Sequence, residues 1–181
     1  PSASCDRTCS TRSTQDPFRL MQLQTEPKYP EEMMSPSKFT LPSAVHLFLQ
    51  HEDQLLFSRR FNTGYEDGKF SVVAGHLNGG ETVKQAMMRE AFEEAGITLH
   101  PENLRIAGVM HRLSDDERID WFLHADRWTG DIKNCEPHKC DLLKWYPILE
   151  PPENLIPYVR RALVNYRSGK LFDSFGFPDK E

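Results

Sequence analysis

The feature that most constrains this chain is the segment GHLNGGETVKQAMMREAFEEAGI, which spans residues 75–97. The Gly79-Gly80 pair interrupts regular structure, and residues 81–95 then contain neither proline nor glycine, so a helix is predicted there. One side of that helix is predicted to pack against a core because it carries the apolar residues Met87, Met88, Ala91 and Ala95.

Three carboxylates lie on the other side of the predicted helix. Glu90, Glu93 and Glu94 are spaced i, i+3 and i+4, so they share one face, where like charges repel unless a cation neutralises them. Clustered oxygen ligands suit Mg²⁺ or Mn²⁺, and Mg²⁺ commonly shares its coordination sphere with substrate phosphates. The alternative is a solvated acidic face with ion pairs such as Arg89 with Glu93. That alternative leaves the glycines on both sides of the helix unexplained.

Residues 75–97 resemble the Nudix box, G-x5-E-x7-R-E-U-x-E-E-x-G-U, in which U is an apolar residue. Every fixed position is filled, although Ala91 is smaller than the usual residue at the first U. The resemblance implies an α/β fold of the Nudix type, a three-layer α/β/α sandwich with a mixed β-sheet. Gly75, Glu81 and Gly96 occupy further fixed positions of the motif.

The resemblance also implies site residues for a Mg²⁺-dependent reaction, with Mn²⁺ as a substitute. Glu93 and Glu94 match metal ligands, and Ala74 offers the backbone carbonyl that is often a further ligand. Glu90 matches the residue that binds metal or activates the attacking water, and Arg89 matches the arginine that holds this carboxylate. In such enzymes water attacks phosphorus and splits a nucleoside diphosphate linked to a group X.

The segment CEPHKCD, residues 135–141, holds further candidate ligands. In many Nudix proteins a loop well beyond the box supplies another acidic ligand, for which Glu136 is the first candidate and Asp141 the second; a surface acid is the alternative. Cys135 and Cys140 bracket a histidine, but the spacing matches no common zinc site, so reduced thiols are expected.

Substrate contacts are expected from the residues before the box. Arg59, Arg60 and Lys69 could meet phosphates, but only one of the two arginines is expected to face the cleft because side chains alternate along a strand. Tyr65 could stack on a base, although most strand aromatics are core residues. Trp121, Phe122 and Trp145 are the other candidates for stacking on a base. Asn62, His111 and Arg112 are further polar candidates without an assigned role.

Two segments are similar to small Nudix proteins of the MutT type, residues 65–77 and 136–146, whereas the SQPWPFPQS pattern of the NADH group is absent. This similarity favours a (d)NTP or oxidised (d)NTP, cleaved to the monophosphate and pyrophosphate. The alternatives are a nucleoside-diphosphate-sugar or dinucleotide pyrophosphatase, and a Nudix module that binds a nucleotide without turnover. The complete set of box carboxylates favours an enzyme.

The remaining sequence predicts a tail and one domain. Residues 1–40 are expected to form a flexible tail and residues 41–177 a single Nudix domain. A net charge of −5 argues against general nucleic-acid binding. The sequence contains no run of 18 apolar residues, so no membrane span is expected. A small-molecule nucleotide is the expected partner of a cytoplasmic monomer or homodimer, with organelle targeting by the tail as an alternative.

Besides the box helix, the pattern predicts several strands and a second helix. The predicted strands are 44–50, 55–60, 70–74, 104–112, 119–128 and 142–146, and the predicted helix is 157–166.

Overall fold

A computed structural model of the chain describes residues 39–178. All but the last two residues of the tail predicted for 1–40 lie outside the described residues. The described part contains eight strands and two helices. The strands are β1 (Ser43–His51), β2 (Gln54–Arg60), β3 (Phe70–Ser71), β4 (Ala74–His76), β5 (Arg105–Leu113), β6 (Glu117–Ala125), β7 (Cys140–Pro147) and β8 (Phe172–Phe175), and the helices are α1 (Val83–Ala95) and α2 (Pro157–Ser168).

The strands form one mixed sheet. Its main path runs in the order β3-β2-β1-β6-β5-β8, while β4 pairs with β1 and β7 pairs with β2. The β1–β6 and β5–β8 pairs are parallel, and the other pairs are antiparallel. The mixed sheet confirms the predicted fold class.

The two helices cover opposite faces of the sheet because the side chains of β1 alternate between two cores. Val45 and Leu47 pack in one cluster with Met87 of α1. Phe48 packs in the other cluster with Val159 of α2. This arrangement is the predicted three-layer sandwich.

Helix α1 begins and ends at capping residues. Thr82 is the N-cap, and its side chain and that of Gln85 bond reciprocally to each other's backbone amides. Gly96 adopts the left-handed conformation at φ 68° and closes the C-terminus, as its position in the sequence predicted. The caps fix the start and the end of the helix that carries the three carboxylates.

Three details differ from the sequence prediction. The strand expected over 70–74 is divided into the short strands β3 and β4, and the strand expected over 119–128 ends at Ala125. Strand β8 was not predicted; it adds to the sheet edge beside β5. Within residues 39–178, no helix combines the length and the apolar character that crossing a bilayer requires.

Candidate active site

A cavity of about 1040 Å³ opens between α1, β2, β4 and the segments before β6 and β7. Most of the predicted site residues line it. They are Arg59, Arg60, Tyr65, Ala74, Gly75, Arg89, Glu90, Glu93, Glu94 and Glu136. Among the other expected residues, Lys69 and Asp141 do not line the cavity.

Arg89 connects three of the four glutamates of the box, Glu81, Glu90 and Glu93. Its Nη1 donates to Glu90 Oε1 at 2.6 Å and to Glu93 Oε2 at 3.1 Å. Its Nε and Nη2 donate to the carboxylate of Glu81 at 3.1 and 2.7 Å, and Nη2 also donates to the carbonyl of His76 at 3.0 Å. These carboxylates, Glu81 first, raise the pKa of Arg89 well above its usual value. The guanidinium therefore stays charged and ties the helix to the preceding loop.

Gly75 makes room for the carboxylate of Glu90. A Cβ atom at Gly75 would lie 1.9 Å from Glu90 Oε1 and 2.0 Å from its Cδ, far inside van der Waals contact. Glu90 is itself buried, at 9% exposure. The Glu90 carboxylate can therefore occupy this position only because residue 75 is a glycine.

Glu94 has the most perturbed carboxyl group of the site. Burial, followed by the charges of Glu90 and Glu136, raises its pKa to about 8, although a hydrogen bond from the Ala74 amide at 3.2 Å opposes the shift. A bound cation would reverse this effect because it stabilises the ionised carboxylate. Without a cation, the raised pKa therefore leaves Glu94 mostly protonated at neutral pH.

The donor set fits a hard divalent cation. Four glutamates line the same cavity, and their oxygen atoms are the ligands that Mg²⁺ and Mn²⁺ prefer. Among residues 39–178, no three His, Cys, Asp or Glu side chains converge on one point as a preassembled metal site. Two of the four, Glu90 and Glu93, instead accept hydrogen bonds from Arg89.

The two arginines of β2 both line the cavity, so the expectation that only one faces the cleft is wrong. The pairing of β2 with β7 is irregular between Arg59 and Arg60. Arg59 donates to both carboxylate oxygens of Asp141, at 2.8 and 2.9 Å. Arg60 donates to the carbonyl of Tyr65 at 2.7 Å and lies 5.3 Å from the centre of its ring.

Lys69 and three of the four aromatic candidates do not line the cavity. Lys69 forms an ion pair with Glu66 in the loop after β2, so its expected place in the cavity is wrong. Phe122 is buried in the core that faces α2, and Trp121 and Trp145 pack against the core that faces α1. Only Tyr65 among the four proposed base-stacking residues lines the cavity.

The segment before β7 contributes Glu136 rather than Asp141. Glu136 lines the cavity and accepts a hydrogen bond from Lys139 at 2.8 Å, whereas Asp141 is engaged by Arg59. Cys135 and Cys140 are free thiols, and burial raises the pKa of Cys140.

A buried polar network beside the cavity was not identified from the sequence as a unit. His46, Arg112 and Tyr158 line the cavity, and Arg112 and His46 both bond to the buried carboxylate of Asp120. The sequence shows Asp120 between the apolar residues Ile119 and Trp121, but His46 and Asp120 lie 74 positions apart. Their contact therefore depends on the parallel pairing of β1 with β6.

Comparison with known proteins agrees with this geometry. The NUDIX domain profile matches residues 40–165. A curated relative, the NAD-capped RNA hydrolase NudC of Haemophilus influenzae, is 30% identical over 126 residues, which are 68% of this chain and 46% of the relative. The 8-oxo-dGTP diphosphatase of Escherichia coli is 29% identical over 92 residues, which are 50% of this chain and 70% of that protein. The chain thus spans about half the length of the NAD-capped RNA hydrolase that it matches.

Solved structures share the fold. The MutT NUDIX hydrolase of Burkholderia pseudomallei superposes with a TM-score of 0.64 at 21% identity, over 70% of this chain and 98% of that one.

Proposed function

The chain belongs to the Nudix hydrolase family, and we propose that it hydrolyses a phosphoric anhydride bond in a nucleoside diphosphate linked to another group. The observation that carries this proposal is the arrangement around Glu90. Arg89 holds its carboxylate, Gly75 leaves space for it, and Glu93 and Glu94 follow on the same helix beside one cavity. An acidic surface helix requires neither the glycine nor the shared cavity.

Each carboxylate of this set has a distinct proposed role. Glu93, Glu94 and the backbone carbonyl of Ala74 would hold Mg²⁺, with Glu136 reaching from the segment before β7. When bound, Mg²⁺ would polarise the phosphates and neutralise the leaving group. Glu90 would orient the attacking water and accept its proton, and Arg89 would keep that carboxylate in position.

The lining of the cavity also supplies positive charge and an aromatic ring. Arg59 and Arg60 line the cavity at the end of β2, where guanidinium groups would pair with phosphate oxygens. Tyr65 also lines the cavity and is partly exposed, so its ring is accessible to a base. We assign these three residues to substrate binding and not to chemistry.

A (d)NTP or oxidised (d)NTP is the proposed substrate, cleaved to the monophosphate and pyrophosphate. The similarity to the 8-oxo-dGTP diphosphatase of Escherichia coli supports this choice. A dinucleotide such as NAD is the second candidate, because several curated relatives are NAD-capped RNA hydrolases. The absence of the SQPWPFPQS pattern weighs against that second candidate.

The test is product analysis by anion-exchange chromatography. The protein is incubated with (d)NTPs, 8-oxo-dGTP, NAD, ADP-ribose and nucleoside-diphosphate sugars, in Mg²⁺, in Mn²⁺ and in EDTA. Metal-dependent release of monophosphate and pyrophosphate from triphosphates is the expected result. Turnover of NAD or sugar nucleotides alone would replace the substrate but keep the reaction. Tight nucleotide binding without turnover would make the chain a binding module.

A further inference from the structure

Lys139 is the one lysine among the described residues that lines the cavity. Its Nζ donates to Glu136 Oε1 at 2.8 Å, and Glu136 is the carboxylate proposed to complete the metal site from the segment before β7. Its positive charge also opposes the rise in pKa that burial causes at Glu94. Lys139 therefore places a cation beside the carboxylates that are proposed to hold the divalent ion.

The backbone that carries this ion pair is held at several points, whereas the lysine side chain is free to move. The amide of Glu136 donates to Asn134 Oδ1 at 3.2 Å, and the carbonyl of Glu136 accepts from the amides of Lys139 and Cys140 at 2.9 Å each. The carbonyl of Lys139 accepts from the amide of Phe61 at 2.8 Å. The side chain of Lys139 is 55% exposed, and within the described part of the chain its single hydrogen bond is the one to Glu136. Its flexible four-carbon stem can therefore change direction while the turn stays in place.

The guanidinium groups of the cavity have partners that they would keep when a metal ion binds. They belong to Arg59, Arg60, Arg89, Arg112 and Arg118. Three of them pair with aspartates that are not proposed metal ligands, and Arg60 bonds to uncharged groups of the loop after β2. Arg89 bonds to two proposed site carboxylates, but two further bonds to Glu81 hold it in place. Lys139 differs because a proposed metal ligand is its single ion-pair partner among residues 39–178.

The carboxylate of Glu136 favours one of the two cations at a time. An ammonium group and a divalent ion on the same carboxylate would lie within a few ångström of each other and repel. The ion pair of an exposed lysine is worth little, so the lysine is the partner that yields. The displaced ammonium group stays at the cavity because its backbone is fixed, and a phosphate of the substrate would be the anion within reach.

We infer that Lys139 and the divalent cation are alternative partners of Glu136, and that the displaced ammonium group pairs with a phosphate oxygen of the substrate. This inference rests on the proposed function and adds a substrate-binding residue to it. Lys139 supplies the lysine contact that the sequence analysis expected of Lys69, from a different segment. The exchange predicts two opposite effects of one side chain: Lys139 weakens metal binding to the protein without substrate, and it strengthens phosphate binding once the metal ion is in place.

The first measurement is Mn²⁺ binding in the absence of substrate, followed by the electron paramagnetic resonance signal of free Mn²⁺. Lys139→Met removes the ammonium group and keeps the length of the side chain. This variant should bind Mn²⁺ about threefold more tightly than wild type, and Lys139→Arg, which keeps the cation, should bind it as wild type does. Lys133→Met is the matched control for the change in net charge, because Lys133 is an exposed lysine of the same segment that does not line the cavity. The control should also bind Mn²⁺ as wild type does.

The second measurement is phosphate binding, by calorimetry at saturating Mg²⁺. The probe is methylenediphosphonate, a pyrophosphate analogue whose bridge cannot be hydrolysed. It should bind about 10-fold more weakly to Lys139→Met than to wild type, whereas Lys133→Met should bind it normally. A variant that merely disturbed the turn would bind both the metal ion and the probe more weakly, so the opposite signs separate exchange from a structural role.

A double-mutant cycle with Glu136→Gln completes the test. In that background Lys139→Met should no longer change the affinity for Mn²⁺, because the carboxylate for which both cations compete is gone. Equal tightening with and without Glu136, unchanged Mn²⁺ binding by Lys139→Met, or weaker binding of both Mn²⁺ and the probe would overturn the exchange and leave the proposed hydrolysis standing. If wild type binds neither Mn²⁺ nor methylenediphosphonate in Mg²⁺, the proposed function fails together with this inference.

Discussion

Substitution of Gly75 by alanine tests the role of the motif's first glycine. The added Cβ would lie 1.9 Å from Glu90 Oε1, whereas ordinary contacts begin near 3.4 Å. The carboxylate must therefore move by about 1.5 Å, which would break its 2.6 Å hydrogen bond from Arg89. Because a misplacement of about 1 Å can cost 10²-fold in rate, we expect kcat/KM to fall about 10²-fold or more.

The same substitution should have little effect on folding. Gly75 does not have a positive φ, and the group that must move is the end of a flexible side chain. The melting temperature by circular dichroism should therefore change by only a few degrees. Gly79→Ala is the matched control, since a Cβ there would meet no atom of the described part of the chain within 4 Å. Gly75→Ala with wild-type kcat/KM, or a Gly79→Ala variant that is equally impaired, would refute the reasoning.

Three further predictions follow from the contacts of the site. Arg89→Ala should lower kcat at least 10-fold with a smaller change in KM, measured by steady-state kinetics, because the carboxylates that it holds lose their shared donor; equal kcat values would contradict this. In EDTA, the free energy of unfolding from urea titrations should fall as pH rises from 4.5 to 8, because Glu94, with its pKa of about 8, is protonated in the folded chain and ionised in the unfolded chain. Glu94→Gln or saturating Mg²⁺ should reduce this slope, and an unchanged slope in both would show that Glu94 is not its source. Asp120→Asn should lower the same free energy by about 3 kcal/mol, because the charge of Arg112 would remain buried without a counterion; a loss below about 1 kcal/mol would contradict it.

Local patterns predicted the helix of the box and its surroundings well. The i, i+3, i+4 spacing placed three glutamates on one face, and Gly96 marked the end of α1. Both depend on neighbours within a few residues, which a sequence displays directly. Glu136, expected from its position in the chain to supply a further acidic ligand, lines the cavity, and its role as a ligand stays a prediction.

Contacts between distant segments were the part that the sequence did not reveal. Lys69 looked like a phosphate ligand, but the loop after β2 pairs it with Glu66. The bond between His46 and Asp120 arises only when β1 and β6 lie side by side in parallel. Strand β8 is only four residues long, so its alternation was too short to distinguish from a loop.

The proposed metal-dependent hydrolysis requires the carboxylate face of α1. The most direct measurement is the dependence of kcat on Mg²⁺ concentration for wild type and Glu93→Gln, with the substrate that the product analysis identifies. Glu93 is about half exposed, and Arg89 is its one side-chain partner among residues 39–178, so the variant should keep the wild-type melting temperature. We predict a loss of about three powers of ten in kcat at saturating Mg²⁺. A folded Glu93→Gln variant with wild-type kcat and Mg²⁺ dependence would contradict the claim.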